Sequence, residues 1–477
     1  MLSRARVTAN PRGDRSRAPR RRVLPLIAAA GCLGFIQNAG PVRLSADRLA
    51  ENTVQGCLAD ASGVVARYTD DEPYAAVDPR NPSRVIAVWQ TRSGTGSAIQ
   101  WSRSVDSGKT WTAPRAAPIN ACAGGPVADA PRSSDPWVTF GPDGRTYLSA
   151  IAWKPNAGDG PDLVSALVVV ASPDGGSTWA PPVAAAIAPS PDIAHDNLAI
   201  TADPTRPGTV YAATTRAESP DTATYFGRLG FTRSDDGGRT WTAIRPITPA
   251  VNRERIGAPQ IVVDPRSGRL YAVYHRRTRG AGYIGVMSSD DRGDTWRTES
   301  VAAAHIRGAR PRHPVGGGRF VLADDIVQAV VSPRTGQLVI AYADGRLGAG
   351  QRHDVSIVWS TDGIRWSHPL AVSDSGPETA WLPAVAATAT GEIGVSYFSA
   401  DFTPAPPAAD ARARVLLQRF RMTGDSLTPI DRVVLDEAKL EWPGDYQSLV
   451  VVNGHFLAVY GRETDIVARL VAAGLRK

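Results

Sequence analysis

The sequence predicts an all-β chain folded as a single β-propeller, with seven four-stranded antiparallel blades and six as the alternative count. Three observations carry this. An alternating apolar run, a turn rich in Pro, Gly, Asp or Asn, and a second apolar run form a paired-strand unit that recurs seven times. The second runs align at Trp89, Ala150, Thr214, Tyr274, Tyr342, Tyr397 and Tyr460, 55 to 68 residues apart. An eight-residue motif, Ser-x-Asp-x-Gly-x-Thr-Trp, is interleaved with the first unit. Such a period, with about four short strands in each repeat, is that of propeller blades. The repeat therefore unites 477 residues that would otherwise suggest about three domains. Hydrophobic residues at 43% and charged residues at 21% supply an ordinary globular core and exclude disordered, collagenous and polytopic membrane chains.

The chain opens on an arginine-rich leader. Arg4, Arg6, Arg12, Arg15, Arg17, Arg20, Arg21 and Arg22 against Asp14 account for the whole formal charge of +7, so the remainder is neutral and carries no basic footprint for nucleic acid. An apolar stretch, Val23 to Ile36, follows, interrupted by Pro25 and ending in Gln37-Asn38-Ala39-Gly40. Residues 1–39 read as a secretory signal peptide cleaved after Ala39; the stretch is shorter than the roughly 20 residues of a membrane span, and no other segment offers one. The expected location is outside the cytoplasm: periplasmic, secreted or at the cell surface. Ala29-Ala30-Gly31-Cys32 gives a minor alternative, a lipoprotein anchor at Cys32. Loss of the leader leaves Cys57 and Cys122, an even pair in an oxidising compartment, expected as a disulfide with two buried thiols as the alternative.

Residues 40–70 form an N-terminal segment and 71–477 the propeller. The last blade shows only three runs, 449–452, 456–460 and 466–471, so the segment from Thr53 to Arg67 is expected to supply its fourth strand and close the ring. The innermost strands start at Pro73, Pro136, Asn197, Pro259, Ile326, Leu382 and Tyr446.

The eight-residue motif stands at Ser104 to Trp111, Ser172 to Trp179, Ser234 to Trp241 and Ser289 to Trp296, with a copy one residue shorter at Ser360 to Trp366. Asp106, Asp174, Asp236, Asp291 and Asp362 can accept turn amides, the glycine takes a positive φ, and Trp111, Trp179, Trp241, Trp296 and Trp366 can pack on the blade. This is the Asp box, and here the chain resembles the sialidase (neuraminidase) superfamily of propellers. The boxes are read as structural.

Strand direction places the boxes on one face and the longer loops on the other. On that second face, the inner strands begin with Glu72, Asp135, Asp196, Asp325, Glu378 and Asp445, with Gln260 or its neighbours substituting in the fourth blade. The second strands end with Arg92, Arg216, Arg276 and Arg277, Arg346 and Arg462. The expected mouth is a ring of carboxylates edged by guanidinium groups, suited to an acidic or polyhydroxylated ligand, or else a set of hydrated ion pairs. Trp153, Trp381 and Trp442 are read as exposed rings near the loops that can stack on sugars, or as core.

The resemblance implies three arginines on a substrate carboxylate, a tyrosine nucleophile paired with a glutamate, and an acid–base aspartate. Tyr446-Gln447-Ser448-Leu449 is similar to the tyrosine's context, with Glu441, Asp445, Asp196 or Asp325 as the carboxylate that would activate it. Arg412 or Arg414 and Arg276 correspond to two of the arginines. The chain departs from the pattern elsewhere: Gln260 stands near the glutamate's place, Asp71-Glu72-Pro73 offers no first arginine, and Thr91 to Gln100 contains no carboxylate. Three functions follow: a glycoside hydrolase on acidic sugars using Tyr446 or a carboxylate pair of the ring, a non-catalytic propeller binding a glycan or protein, or a uronate polysaccharide lyase using His195, His275 or His353. The expected partner is a carbohydrate. No cofactor or metal is expected, and the chain is expected to be a monomer.

Overall fold

The computed structural model describes residues 40–45, 57–58, 68–94, 96–155, 164–221, 223–277, 281–306, 308, 310–313, 319–323, 326–373, 376–403 and 407–471. The leader, Cys32, Asp325 and all of Thr53–Arg67 except Cys57 and Leu58 lie outside them. Seven four-stranded antiparallel sheets stand in chain order, each the blade the repeat predicts. Their inner strands are Thr69–Val77, Arg132–Phe140, Ile193–Ala202, Arg255–Val263, Val327–Val331, Thr379–Ala387 and Ser448–Val452. Second strands are the most buried, as Val85, Ile86, Ala87, Val88 and Trp89 in blade 1 and Leu338 to Tyr342 in blade 5 show. Sheet faces packed on both sides leave those strands almost uniformly apolar.

The ring closes differently from the sequence expectation. The fourth strand of blade 7 is Val42–Arg43, which pairs with Ala468 and Val467. Leu44 follows into the core at 3% exposure, and its amide donates to the Ile466 carbonyl at 2.8 Å. Arg43 holds Asp465 at 2.7 Å, and the Ile466 amide donates to Ser45 Oγ. A two-residue strand gives little periodicity to read, and Leu44 is its only core side chain. The Cys57–Cys122 disulfide spans 5.5 Å between Cα atoms and joins the N-terminal segment to the short 3-10 turn Ala121–Ala123 between blades 1 and 2.

The Asp boxes do two jobs. In the fourth, Ser289 Oγ receives the Gly293 amide, while Asp291 accepts the Thr295 amide at 2.9 Å and the Thr295 hydroxyl. These bonds hold the Asp291 carboxyl down at about 2. The box glycine, at φ 85° in this copy, also presses on the preceding blade: a Cβ on Gly293 would meet Phe231 at 2.3 Å, on Gly176 Ile86 at 2.4 Å, and on Gly363 Tyr271 at 2.6 Å. One glycine thus closes the turn and sets the blade-to-blade contact.

Candidate functional site

The inner strand of a blade does not run straight into the mouth. Register shifts mark bulges between Asp71 and Tyr74, Ser134 and Trp137, Asp196 and Ala199, Gly257 and Gln260, and Trp381 and Ala384. A left-handed residue sits in each: Glu72 at φ 54°, Asp135 at 54°, Asn197 at 47°, Ala258 at 41° and Leu382 at 57°. Bulges re-aim side chains, and strained non-glycine backbone of this kind gathers at functional sites. Blades 1 and 2 use the position for carboxyls. In blade 7 Gly444 comes so close that a Cβ would lie 2.4 Å from the Glu72 amide nitrogen and 2.9 Å from its Cγ. Asp445 and Tyr446 are thereby brought against Glu72.

Glu72, 6% exposed, is driven well above the ordinary carboxylate range by burial and by the charges of Asp135, Asp71 and Asp445. Its Oε2 has no hydrogen-bond partner. Asp71, fully buried, sits in a different field. Burial raises its carboxyl to about 6, against the pull of Arg92, which donates to Oδ2 from Nε at 2.8 Å and from Nη2 at 2.5 Å. The other oxygen, Oδ1, has no partner. Asp135 is pushed to about 8 by burial and by Asp196, and Asp70 to about 7 by burial, although Thr91 donates to it. Arg92 also lies over Trp442, 4.7 Å from the ring centroid, so an aromatic face borders the carboxyl cluster. Beside the cluster is a small axial cavity of about 20 Å³ lined by Asp135, Trp137, Asn197, Gln260, Gln328 and Tyr446. Two neighbouring carboxyls in different fields, Glu72 pushed well above the ordinary range and Asp71 paired through one oxygen with a guanidinium, are the parts of acid–base chemistry.

Several expected ligands are elsewhere. Tyr446 does reach the mouth, but it is 5% exposed and its hydroxyl donates to the Pro136 carbonyl at 3.0 Å. Burial and the charges of Glu72, Asp135 and Asp445 raise its hydroxyl well above the ordinary value, which is unsuited to a nucleophile. The arginines do not converge. Arg276, at 4% exposure, bridges Glu254 at 2.7 Å and Glu299 at 3.3 Å. Arg216 pairs with Glu218, Arg346 with Asp344 and the Tyr342 hydroxyl, Arg412 with Glu437, Arg414 with Glu378, and Arg462 with Asp436. Carboxylates only two to 36 residues away claim these guanidinium groups, whereas Arg92 reaches the cluster and acts on Glu72. Trp381 is not exposed at all but fully buried, and Trp153 is covered by Arg132. His195, His275 and His353 are likewise buried, because they lie within packed strands and loops rather than on the rim. Gln260 turns to a neighbouring blade, where it accepts the Ala329 amide at 3.0 Å. Asp196 acts electrostatically on Asp135.

Asp71 is the residue that a reading of single ring positions passes over. The signal for it is the run Asp70-Asp71-Glu72 immediately before Pro73. Three successive carboxyls at the start of a buried strand are costly unless the site uses them.

Residues 164–400 match the family described as BNR repeat-like domain. No curated protein matches the chain. Among solved structures, a sialidase described as Hadza microbial sialidase Hz136 is 19% identical, with a TM-score of 0.47; the match covers 84% of this chain and 66% of that one. A Dyadobacter fermentans protein of unknown function is 14% identical at TM-score 0.47, with 91% and 98% covered. The intramolecular trans-sialidase from Ruminococcus gnavus is 15% identical at 0.45, with 87% and 95% covered. The BNR repeat-like match lies within a chain whose described residues form a seven-bladed propeller.

Proposed function

We propose that the chain is a glycoside hydrolase that works through Glu72 and Asp71 rather than through Tyr446. The observation that carries this reading is the contrast between two adjacent buried carboxyls, Glu72 pushed upward by burial and by its carboxylate neighbours, and Asp71 bound through one oxygen by Arg92 while the other stays open. In this scheme Glu72 Oε2 gives its proton to the glycosidic oxygen as the C–O bond breaks. Asp71 Oδ1, the oxygen that Arg92 leaves open, takes a proton from the water that attacks the anomeric carbon. Arg92 keeps the base ionised, and Trp442 offers a face to the sugar ring. Tyr446 is a positioning residue, tying blade 7 to blade 2 through the Pro136 carbonyl. The leader and the cysteine pair favour an exported enzyme.

A second reading, a propeller that binds a glycan without cleaving it, is favoured by the burial of Glu72 and by the arginines' commitment to carboxylates within the fold. Aryl-glycoside release by wild type and by Glu72→Gln separates the two. The hydrolase reading expects a loss of at least 10²-fold in kcat with KM little changed; release at equal rates contradicts it.

A further inference from the structure

A larger cavity opens in blade 6, at the strand ends equivalent to those that carry Arg92 in blade 1. Ser399 is the last residue but one of the second strand Glu392–Ala400, as Arg92 is of Val85–Ser93. It pairs with Ala380 of the inner strand and with Arg414 of the third strand, and Tyr397 pairs with Leu416. Residues two apart on a strand share a face, so Tyr397, Ser399, Arg414 and Leu416 stand on one side of the sheet. Together with Glu378 and with Ser373, Gly376 and Pro377 of the connection from blade 5, they line a cavity of about 180 Å³. A water occupies about 30 Å³ of liquid, so the space is that of about six waters, or one pyranose ring. Its polar groups form one unit. Arg414 Nη2 donates to Glu378 Oε1 and Oε2, each at 2.6 Å, and Ser399 donates to Oε2. Nη2 alone makes this pair, so Nε and Nη1 lie outside it, and Oε1 is the less used carboxylate oxygen. The Arg414 and Glu378 side chains are 41% and 31% exposed, within reach of a ligand.

We propose that this cavity is a subsite for a neutral sugar residue, in which adjacent hydroxyls of one ring bridge the Arg414–Glu378 pair. A hydroxyl both donates and accepts, so one can receive a guanidinium N–H while its neighbour donates to Glu378 Oε1. Pro377, Ala380 and Leu416 offer apolar surface to the C–H face of the ring. An acidic sugar is the poorer fit. The Arg414 charge is already matched by Glu378, so a second carboxylate must either displace that partner or lie against it. The subsite does not rest on the hydrolase reading: Arg414 belongs to blade 6 and Asp71 and Glu72 to blade 1, so it serves a cleaving and a binding propeller alike.

The test is titration of the full chain, followed by saturation-transfer NMR, with methyl β-galactoside, methyl α-mannoside and methyl β-glucuronide. At least one neutral glycoside is expected to bind at least fivefold more tightly than the glucuronide. Arg414→Lys keeps the charge but removes the further donor nitrogens, and should weaken that binding at least tenfold. Gly376 provides a second variant that touches no ion pair: its φ lies outside the left-handed region and nothing stands within 4 Å of the place a Cβ would take. Gly376→Trp should therefore crowd the cavity and abolish binding with the thermal transition unchanged, which keeps the test intact if the arginine variant fails to fold. No binding of either neutral probe, tighter binding of the glucuronide than of both, or unaltered binding in the folded variants would overturn the proposal. Aryl-glycoside release is measured separately. Release without neutral-sugar binding at blade 6 would remove the subsite and leave the hydrolase standing, and binding lost in the two variants without any release would do the reverse.

Discussion

Arg92 and Asp71 are joined by two N–H donors to a single carboxylate oxygen, Oδ2, which leaves the second oxygen of a fully buried carboxyl turned away from its cation. Structural ion pairs more often use both oxygens of the acid, in the bidentate fork that guanidinium geometry favours. The one-sided pairing divides the carboxyl into a half that fixes charge and a half that can exchange a proton.

That division gives a pH prediction. Burial raises the Asp71 carboxyl to about 6 and Arg92 opposes the rise, with Glu72, Asp70, Asp135 and Asp445 as the other charged or titratable groups around the pair. Arg92→Met should move the acid limb of kcat/KM to higher pH by about one unit, since the base must then lose its proton without cationic help. The pH profile of the variant against wild type measures it; a limb that stays near pH 6 would assign the pair a purely structural role.

Stability should depend on pH in two opposite ways. Asp135 at about 8 and Asp70 at about 7 are raised from an ordinary value of about 3.9, so the stability they contribute is complete below about pH 4 and is lost as the pH rises through 7 and 8. Asp174, Asp236 and Asp291 at about 2 are depressed, so theirs is present above about pH 4 and is lost as the pH falls toward 2. Thermal melts should therefore peak between about pH 4 and 6. Asp135→Asn should melt higher than wild type at pH 8.5 and at about the same temperature at pH 5; a variant that is less stable at both would contradict the sign.

Arg276 was legible in the sequence as a ligand of an acidic substrate, yet it is 4% exposed between Glu254 and Glu299. Arg276→Ala leaves two carboxylates facing each other and should cost about 3 to 5 kcal/mol in urea unfolding. Binding of a sugar to the folded variant should be unaltered, because the ion bridge lies within blade 4. Weakened binding at unchanged stability would return Arg276 to the site.

Gly293 tests the blade contact. Its φ of 85° costs an L-residue about 1 to 2 kcal/mol, and an added Cβ would lie 2.3 Å from Phe231. Gly293→Ala should lose at least about 2 kcal/mol. Gly424, at φ 57° with nothing near its Cβ position, provides the control in which the backbone term acts alone. Equal losses at the two positions would show that the contact with Phe231 contributes nothing.

Fold and site were readable to different depths for a physical reason. The Ser-x-Asp-x-Gly-x-Thr-Trp spacing encodes bonds made within eight residues, such as Thr295 to Asp291, so sequence neighbours are also structural neighbours and blade number follows. The ring of carboxyls at Glu72, Asp135 and Asp445 was legible because each immediately precedes the residue, Pro73, Pro136 or Tyr446, at which the apolar run of its blade starts. Which guanidinium pairs with which carboxylate was not, because Arg276 chooses between partners 22 residues before it and 23 after it through the register of whole strands. Nor was the contact of the Tyr446 hydroxyl with Pro136, 310 residues away across the ring. Val42–Arg43 closes blade 7 in place of the Thr53–Arg67 segment because two residues and the buried Leu44 suffice to cover that edge.

The central claim is that Glu72 supplies the proton and Asp71 the base. Single-turnover release of an aryl aglycone from a panel of glycosides, by wild type, Glu72→Gln and Asp71→Asn, tests it most directly. The account expects Glu72→Gln to lose its rate mainly on substrates with poorly departing aglycones, whose oxygen needs the proton, and to regain much of it on a dinitrophenyl aglycone. Asp71→Asn should lose at least 10²-fold on both, with azide as a nucleophile restoring turnover. Release by Glu72→Gln and Asp71→Asn at the wild-type rate, with Tyr446→Phe inactive, would contradict the account and return the chemistry to the tyrosine.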